Sequence, residues 1–345
     1  MPLITGLASA VLFGAATPAS KALLAGIDAQ VLAGLLYLGA ACGVLPLLVG
    51  KKSFGQPWHA DRRTLLLLTG AIILGGVLGP FLLLLGLTIA TSGSVSLWLN
   101  LEFVATVVLG HFVFHEHLTA RGWIAAGGTL IAAVLLAWGE GTFGILSVSL
   151  VASACLCWGF DNHFTALIDG LTPAQITMWK SLAAGIFNLA IGVMRSGEVA
   201  GVTMICAALI VGAFCYGVSV TLYITTAQGL GASRSQMIFS SAPFFGLLLS
   251  AVLLGEHFTK IQALAAGIIM LSLIFLFSER HSHVHRHDSV YHIHGHSHTD
   301  GHHDHDHNGI PLKESHSHWH EHEKTDHEHK HWPDLHHRHD HTNDE

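Results

Sequence analysis

Ten long apolar stretches, separated by short polar breaks, fill this chain from its start to about position 280. A helix needs about 20 apolar residues to cross the ~30 Å hydrocarbon core of a bilayer. Runs such as LLLLTGAIILGGVLGPFLLLLGL lack the alternation over ~10 residues that a membrane β-barrel strand shows. The sequence therefore predicts an all-α integral membrane protein with ten transmembrane helices. The predicted spans are 3–25, 30–49, 64–87, 92–113, 120–138, 145–167, 173–193, 202–225, 234–254 and 260–278.

The composition supports a membrane protein and separates the C-terminal segment 281–345 from the rest. Hydrophobic residues make up 51% of the chain and charged residues 11%, against roughly a quarter charged in soluble domains. Residues after position 280 hold 23 of the 29 histidines and 13 of the 23 acidic residues. The chain therefore consists of a membrane region and an acidic, histidine-rich tail.

The two halves of the membrane region resemble each other. Glu116 and Thr119 align with Glu256 and Thr259 at an offset of 140 in the numbering. Two halves of five helices enter the membrane in opposite senses, because five is an odd number. The alignment therefore predicts an inverted repeat, a frequent architecture of secondary transporters, with the substrate site near the midplane between the halves. The predicted domains are the first repeat over 1–140, the second repeat over 141–280 and the tail over 281–345.

Lysine and arginine in the short loops predict the orientation, because these residues concentrate on the cytosolic side. With an even number of spans, most of them share one side if both termini are cytosolic. The N-terminus lacks a basic segment and a convincing cleavage site, so the first stretch is expected to be a retained helix. We therefore expect a bacterial inner-membrane protein with both termini in the cytosol. The loop residues concerned are Lys51, Lys52, Arg62, Arg63, Arg121 and Arg280.

Three motifs resemble the EamA repeats of the drug/metabolite transporter superfamily. They are the FG…P pattern of the first helix, TSGSVSLWLNLEF…EHLT of the fourth and GASRSQMIFSSAPFFG…LLGEHFT of the ninth. The resemblance implies two inverted five-helix EamA repeats and export of small metabolites, drugs or ions, usually driven by an ion or proton gradient. Two positions depart from the family pattern. Glu102 is followed by Phe103 instead of proline, and Leu35 stands in the first half where Lys180 stands in the second.

Ionisable side chains inside the predicted helices mark a candidate transport pathway. A charged residue at a helix centre costs about 2.5–3.5 kcal/mol on the gentler scales, so each one needs a partner or a function. Two interpretations of Glu102 and Asp161 are open. Either they pair with Lys180 as a structural element, or they bind a proton or cation in the pathway.

The sixth predicted helix carries a polar face. In WGFDNHFTAL, polar or amphipathic side chains recur at i, i+3, i+4 and i+7, which is one side of a helix. Such a face would be left unsatisfied against lipid, so it is expected to line a cavity or a helix contact. His163 lies on another side and is expected to be a satisfied interior histidine. The candidate pathway residues are Glu102, Trp158, Asp161, Asn162, Thr165 and Lys180.

Three histidines follow one another at the end of the fourth predicted helix, in GHFVFHEHL. His111 and His115 are four residues apart on one helix face, and Glu116 and His117 follow. Imidazoles at i and i+4 can share a transition metal, and their softness suits Ni²⁺, Co²⁺, Cu²⁺ and Zn²⁺. The cluster is either a metal relay or a set of interfacial histidines that flank a glutamate typical of the family.

The tail repeats histidine in H-x-H and H-H pairs, interleaved with Asp, Glu, Ser and Gly. Hydrophobic residues are too few for a core, so the tail is predicted to be disordered without metal. A flexible chain can collect several imidazoles around one ion, and the absence of Cys and Met favours nickel, cobalt, zinc or Cu²⁺ over Cu(I). A solubilising or pH-responsive tail is the alternative. The first predicted ligands are His281, His283, His285, His287, His292, His294, His296, His298, His302, His303, His305 and His307.

Three functions are open from the sequence. The first is export of a divalent metal, nickel or cobalt, collected by a tail that resembles those of nickel and cobalt exporters and passed to His111, His115 and His117. The second is export of a metabolite or drug, with a tail that buffers or senses metal. The third is a membrane-anchored metal store or sensor. We expect the bilayer as partner, the proton as coupling ion and no obligatory cofactor, and a homodimer is left open. Neither an enzyme nor a nucleic-acid-binding protein is expected.

Overall fold

The computed structural model describes residues 2–48, 60–116, 118–168, 170–197 and 200–277, together with four strands in the tail. The helices are α1 (Pro2–Gly14), α2 (Ala16–Leu23), α3 (Ala29–Leu48), α4 (Arg62–Gly70), π1 (Ala71–Leu78), α5 (Gly79–Ile89), α6 (Ser92–Trp98), α7 (Leu101–Phe112), α8 (Ala120–Gly139), α9 (Gly141–Ala166), α10 (Pro173–Ser196), α11 (Val202–Val211), π2 (Gly212–Val218), α12 (Ser219–Leu230), α13 (Ala232–Phe239), α14 (Ala242–Leu254) and α15 (Lys260–Phe277). The strands are β1 (Ser282–His287), β2 (Val290–His296), β3 (His316–His322) and β4 (Thr325–Lys330).

Nine helical spans in the described part of the chain are long and apolar enough to cross a membrane. They are Leu3–Leu23, Ala29–Leu48, Arg62–Ile89, Ser92–Phe112, Ala120–Gly139, Gly141–Ala166, Pro173–Ser196, Val202–Leu230 and Ala232–Leu254. A further apolar helix, Lys260–Leu276, is shorter. These spans confirm a multi-pass, helical membrane region. The count of ten crossings stays a prediction.

Large apolar side chains cover the outside of the bundle. Trp138 and Met194 are 80% and 84% exposed, and Val202 is 78% exposed. Polar side chains, by contrast, are buried between the helices, as at Asn188 and Gln30, which are hydrogen-bonded to each other. This distribution suits a lipid environment, because hydrocarbon solvates the apolar exterior and the polar groups satisfy one another inside.

Glycines allow α3 and α10 to approach closely. A methyl group at Gly185 would lie 2.8 Å from the backbone nitrogen of Leu38, and one at Gly192 would lie 2.6 Å from that of Val31. Small residues at a membrane helix contact bring backbones within van der Waals reach of each other. The two predicted halves of the chain are therefore packed directly against each other, since α3 belongs to one and α10 to the other.

Two membrane spans contain a π-helical segment, π1 at Ala71–Leu78 and π2 at Gly212–Val218. The separation of their first residues, Ala71 and Gly212, is close to the offset of the sequence repeat. A π-helical turn frees backbone groups from the regular ladder. The freed carbonyl of Gly75 accepts hydrogen bonds from the Tyr37 hydroxyl at 2.6 Å and from the Trp158 indole at 3.0 Å. The first π-helix thus fixes two aromatic side chains.

The structure describes four short strands in the tail, and the predicted disorder of the tail stays a prediction. Strand β1 pairs with β4 and strand β2 with β3, both antiparallel. The H-x-H repeat has the two-residue period of a strand, and strands pair through backbone hydrogen bonds without needing an apolar core. The paired positions include His283 with His329, His285 with His327, His292 with His320, His294 with His318 and His296 with His316. The predicted ligands His281, His298, His302, His303, His305 and His307 lie outside the described residues.

Candidate functional site

A buried ion pair joins α9 to α10. The Lys180 ammonium group donates to Asp161 Oδ2 at 2.6 Å, and both side chains are more than nine-tenths buried. A buried charge is tolerated when an opposite charge compensates it. Asp161 and Lys180 therefore pair with each other, as the first of the two interpretations expects. The second oxygen, Asp161 Oδ1, is buried without a hydrogen-bond partner in the described part of the chain.

Glu102 bonds to an amide rather than to the lysine. The Asn162 side-chain nitrogen lies 2.9 Å from Glu102 Oε1, 3.1 Å from Thr106 Oγ1 and 3.2 Å from Gln236 Oε1. An amide nitrogen has two hydrogens, so these three acceptors share two donors. Asn162 therefore links α7, α9 and α13 at one point beside the ion pair.

These groups line one cavity of about 40 Å³. The structure brings all six predicted pathway residues to its wall: Glu102, Trp158, Asp161, Asn162, Thr165 and Lys180. A volume of this size holds about three water molecules. A small organic molecule needs a site of roughly 300 Å³ or more, so the surrounding helices must separate before such a molecule can enter.

Aromatic side chains form much of the cavity wall. Of these, only Trp158 was among the pathway residues predicted from the sequence. The aromatic side chains are Phe13, Tyr37, Trp158, Tyr216, Tyr223 and Phe239. Phe13 packs against Trp158 edge to face with ring centroids 6.4 Å apart, and against Phe239 at 4.9 Å. The hydroxyl of Tyr223 is buried without a hydrogen-bond partner among the described residues. One signal pointed to Phe13: Phe13 and Gly14 align with Trp158 and Gly159 at a second offset of 145 between the two halves of the sequence.

The EamA-like transporter family matches this chain twice, over residues 1–138 and 145–278. The chain belongs to the EamA-like transporter family. An uncharacterized transporter of Methanothermobacter thermautotrophicus is 27% identical to it over 224 residues, which cover 62% of this chain and 65% of that protein. A protein of known crystal structure has the same fold with a TM-score of 0.62 and 15% identity, over 80% of this chain and 95% of that one. The chain is thus a multi-pass membrane protein of this family, and it spans slightly less than two thirds of the length of the curated relative.

The predicted histidine cluster of this EamA-like chain is not on one helix face. Helix α7 ends at Phe112, and the chain turns through a left-handed conformation at His115, with φ of 57°. His111 packs against Trp123 with ring centroids 5.5 Å apart, whereas His115 is exposed. The prediction that His111 and His115 share one helix face was therefore wrong, because it required the helix to continue past residue 112. His117 lies outside the described residues. Where the structure describes the chain, no group of three or more His, Cys, Asp or Glu residues is placed to hold a metal.

A second polar cluster in this EamA-like chain surrounds Glu116. Its Oε1 lies 3.5 Å from His163 Nε2, and its Oε2 accepts from the Ser233 hydroxyl. Burial raises the pKa of Glu116, but His163, Ser233 and the positive charge of Arg234 outweigh burial, so the pKa lies below its usual range. His163 also contacts the Gly159 carbonyl through Nδ1 at 2.8 Å. His163 is therefore an interior histidine with a partner for Nδ1, whereas its Nε2 makes no hydrogen bond within the described residues and has only the 3.5 Å contact with Glu116.

Proposed function

We propose that this chain is a secondary transporter whose central cavity binds a small organic solute that carries an amino group. The observation that carries the proposal is the cavity wall, which combines two carboxyl groups, one ammonium group and six aromatic side chains. Aromatic faces attract cations and pack against apolar carbon. Glu102 and Asp161 bring one more acidic group than Lys180 neutralises. A cationic amine on the cargo balances that group.

Proton exchange is the coupling that this arrangement supports. When the cavity holds no cargo, a proton on Glu102 or Asp161 removes the excess charge, because an uncompensated carboxylate inside a membrane bundle is costly. A cargo amine displaces that proton. Cargo and proton therefore occupy the same acidic groups in turn, which is the condition for exchange of one for the other across the membrane.

We further propose ten crossings in two inverted five-helix repeats, with both termini in the cytosol of a bacterial cell. Two observations support the repeat: the family matches each half separately, and π1 and π2 recur at nearly the offset of the sequence repeat. The basic loop residues support the orientation, by the excess of lysine and arginine on the cytosolic side. In this arrangement Glu116 lies at the cytosolic end of the bundle.

Transport by purified protein in liposomes tests the cargo. The trial solutes are a small aromatic amine, a zwitterionic amino acid, an organic anion of similar size and Ni²⁺. We expect saturable uptake of the amine-bearing solutes that Asp161→Asn abolishes. Uptake of the anion alone, or of Ni²⁺ alone, would overturn the proposal.

Divalent metal export is the second candidate, and one feature of the tail favours it. His283 and His285 of β1 stand opposite His329 and His327 of β4 in the strand register, and imidazole is a ligand that suits nickel and cobalt. Lys180 in the cavity places this candidate second, because its positive charge repels a metal cation. In the first proposal the tail buffers or senses metal while the helices carry the amine. Nickel flux by the full chain that is lost when the chain ends at residue 280 would favour export.

A further inference from the structure

Glu256 bonds to the first residues of a helix in the other half of the chain. It follows Gly255, which ends α14 in a left-handed conformation with φ of 66°. Its Oε1 accepts from the backbone nitrogen of Ser92 at 2.9 Å, and its Oε2 accepts from that of Gly93 at 2.8 Å. A carboxylate is favourable at this place, because the first N–H groups of a helix have no partner within the helix.

Glu116 makes an equivalent contact at the opposite end of the spans Ser92–Phe112 and Ala232–Leu254. It follows His115, which has φ of 57°, and its backbone nitrogen donates to the Gly110 carbonyl at 2.7 Å. Its carboxylate accepts from the hydroxyl of Ser233, at the start of α13. The fold thus places a second carboxylate, also after a left-handed residue, against a second helix start.

The two contacts correspond residue by residue at the offset of 140. His115 matches Gly255, Gly110 matches Ser250, and Ser233 matches Gly93. The Glu256 backbone nitrogen likewise donates to the Ser250 carbonyl, at 3.4 Å. Each carboxylate therefore crosses from its own half of the chain to the start of a helix in the other half.

The two contacts lie at opposite ends of the bundle. Span Ser92–Phe112 begins at the Glu256 contact and ends just before Glu116, whereas span Ala232–Leu254 begins at the Glu116 contact and ends just before Glu256. The cavity lies between the two ends, since Glu102 and Phe239, which line it, come from the middle of these spans. Each carboxylate therefore lies at one end of the two spans that contribute Glu102 and Phe239 to the cavity wall.

We propose that Glu116 and Glu256 are paired latches that each hold the two halves together at one end of the transport pathway. The small cavity requires the helices to separate before cargo enters, and a carboxylate bond between halves must break at the end that opens. Cargo reaches the cavity through one end while the latch at the other end stays closed. The latches act on the helices themselves, whatever cargo the cavity binds.

Thiol labelling at a matched pair of positions tests the latches. Val95 and Ser235 are equivalent at the offset of 140, and both are buried just inside the two ends. In a full-length chain without its five native cysteines, Val95→Cys reports opening at the Glu256 end, and Ser235→Cys reports opening at the Glu116 end. The probe is a charged, membrane-impermeant maleimide applied to each side of the membrane.

Glu116→Gln should raise labelling of Ser235→Cys and lower labelling of Val95→Cys, and Glu256→Gln should do the reverse. A hydrogen bond to a charged group is strong enough to change the ratio of the two labelling rates by about tenfold. Asp61→Asn is the matched control. Asp61 accepts from the backbone of Arg63 and Thr64, so it caps a helix within its own half and should leave both rates unchanged.

Ser233→Ala keeps the test decisive if Glu116→Gln fails to fold. It removes the hydroxyl donor and leaves the carboxylate in place, so it should shift labelling in the same direction as Glu116→Gln but by less. An unchanged ratio in every latch variant would overturn the proposal. So would labelling that rises equally at both ends, because that result indicates general loosening of the bundle.

Discussion

Lys180 Nζ and Asp161 Oδ2 lie 2.6 Å apart in the membrane interior, and one oxygen of the carboxylate has no further partner in the described part of the chain. The lysine therefore neutralises the charge of Asp161 but leaves one of its two oxygens without a hydrogen bond in the described part of the chain. Asp161 and Lys180 both line the cavity. Under the proposed function, the same two side chains form a structural ion pair and take part in binding the cargo.

Lys180→Ala is expected to destabilise the protein strongly. It leaves the Asp161 carboxylate buried without a compensating charge, which costs about 3–5 kcal/mol. Thermal unfolding in detergent measures the loss. The double variant Lys180→Met with Asp161→Asn should recover most of the stability and none of the transport. Recovery of transport in the double variant would show that the pair is only structural.

Asn162→Leu should destabilise the junction of three helices. It leaves Glu102 and Gln236 without their donor, and an unsatisfied buried acceptor costs about 1–3 kcal/mol. Thr106→Val is the control, because Asn162 keeps its other two acceptors, and it should cost under about 1 kcal/mol. Unfolding in detergent checks both variants. Equal losses would mean that the amide does not hold the junction together.

Gly185→Ala should force α3 and α10 apart, since the added methyl group would lie 2.8 Å from a backbone nitrogen. Overpacking of this kind lowers the free energy of unfolding by about 1–3 kcal/mol. In α8, a methyl group at Gly127 meets nothing within 4 Å. Gly127→Ala should therefore be neutral or stabilise by up to about 1 kcal/mol. Similar melting temperatures for the two variants would contradict this account of the packing.

Removal of the tail should separate metal binding from transport. A chain that ends at residue 280 loses 23 of its 29 histidines, so titration calorimetry should detect Ni²⁺ binding to the full chain and little binding to the shortened one. Uptake of an amine-bearing solute should be the same for both. A shortened chain that binds as much Ni²⁺ as the full one would place the metal site within the helices.

The sequence predicted the membrane helices and the polar face of α9 because both are local patterns. The structure has apolar helices of membrane-spanning length. Asp161, Asn162 and Thr165 lie together on the cavity wall. The rest depends on contacts between distant segments. Phe239 and Tyr223 sit in apolar helices, where sequence alone does not distinguish a cavity wall from a lipid-facing surface. Gln236 on α13 is expected from its residue type to bond across helices, but its pairing with Asn162, which is 74 residues away, depends on the fold.

Two further differences have local causes. The histidine cluster was predicted on one helix face, but α7 ends at Phe112 and a left-handed residue at His115 redirects the chain. This ending was hard to foresee, because the left-handed position holds histidine in the first half and Gly255 in the second. For the tail, disorder was predicted from the low hydrophobic content and stays a prediction, whereas the four described strands follow the two-residue histidine period.

Proton movement driven by cargo tests the exchange mechanism most directly. Liposomes contain the purified protein and an internal pH dye, and the pH is equal on both sides at the start. An amine-bearing solute is then added outside. The account predicts amine entry with proton exit, so the interior becomes more alkaline, and Glu102→Gln combined with Asp161→Asn abolishes the signal. Amine entry without a pH change, or an equal pH change in the double variant, would contradict the shared acidic site.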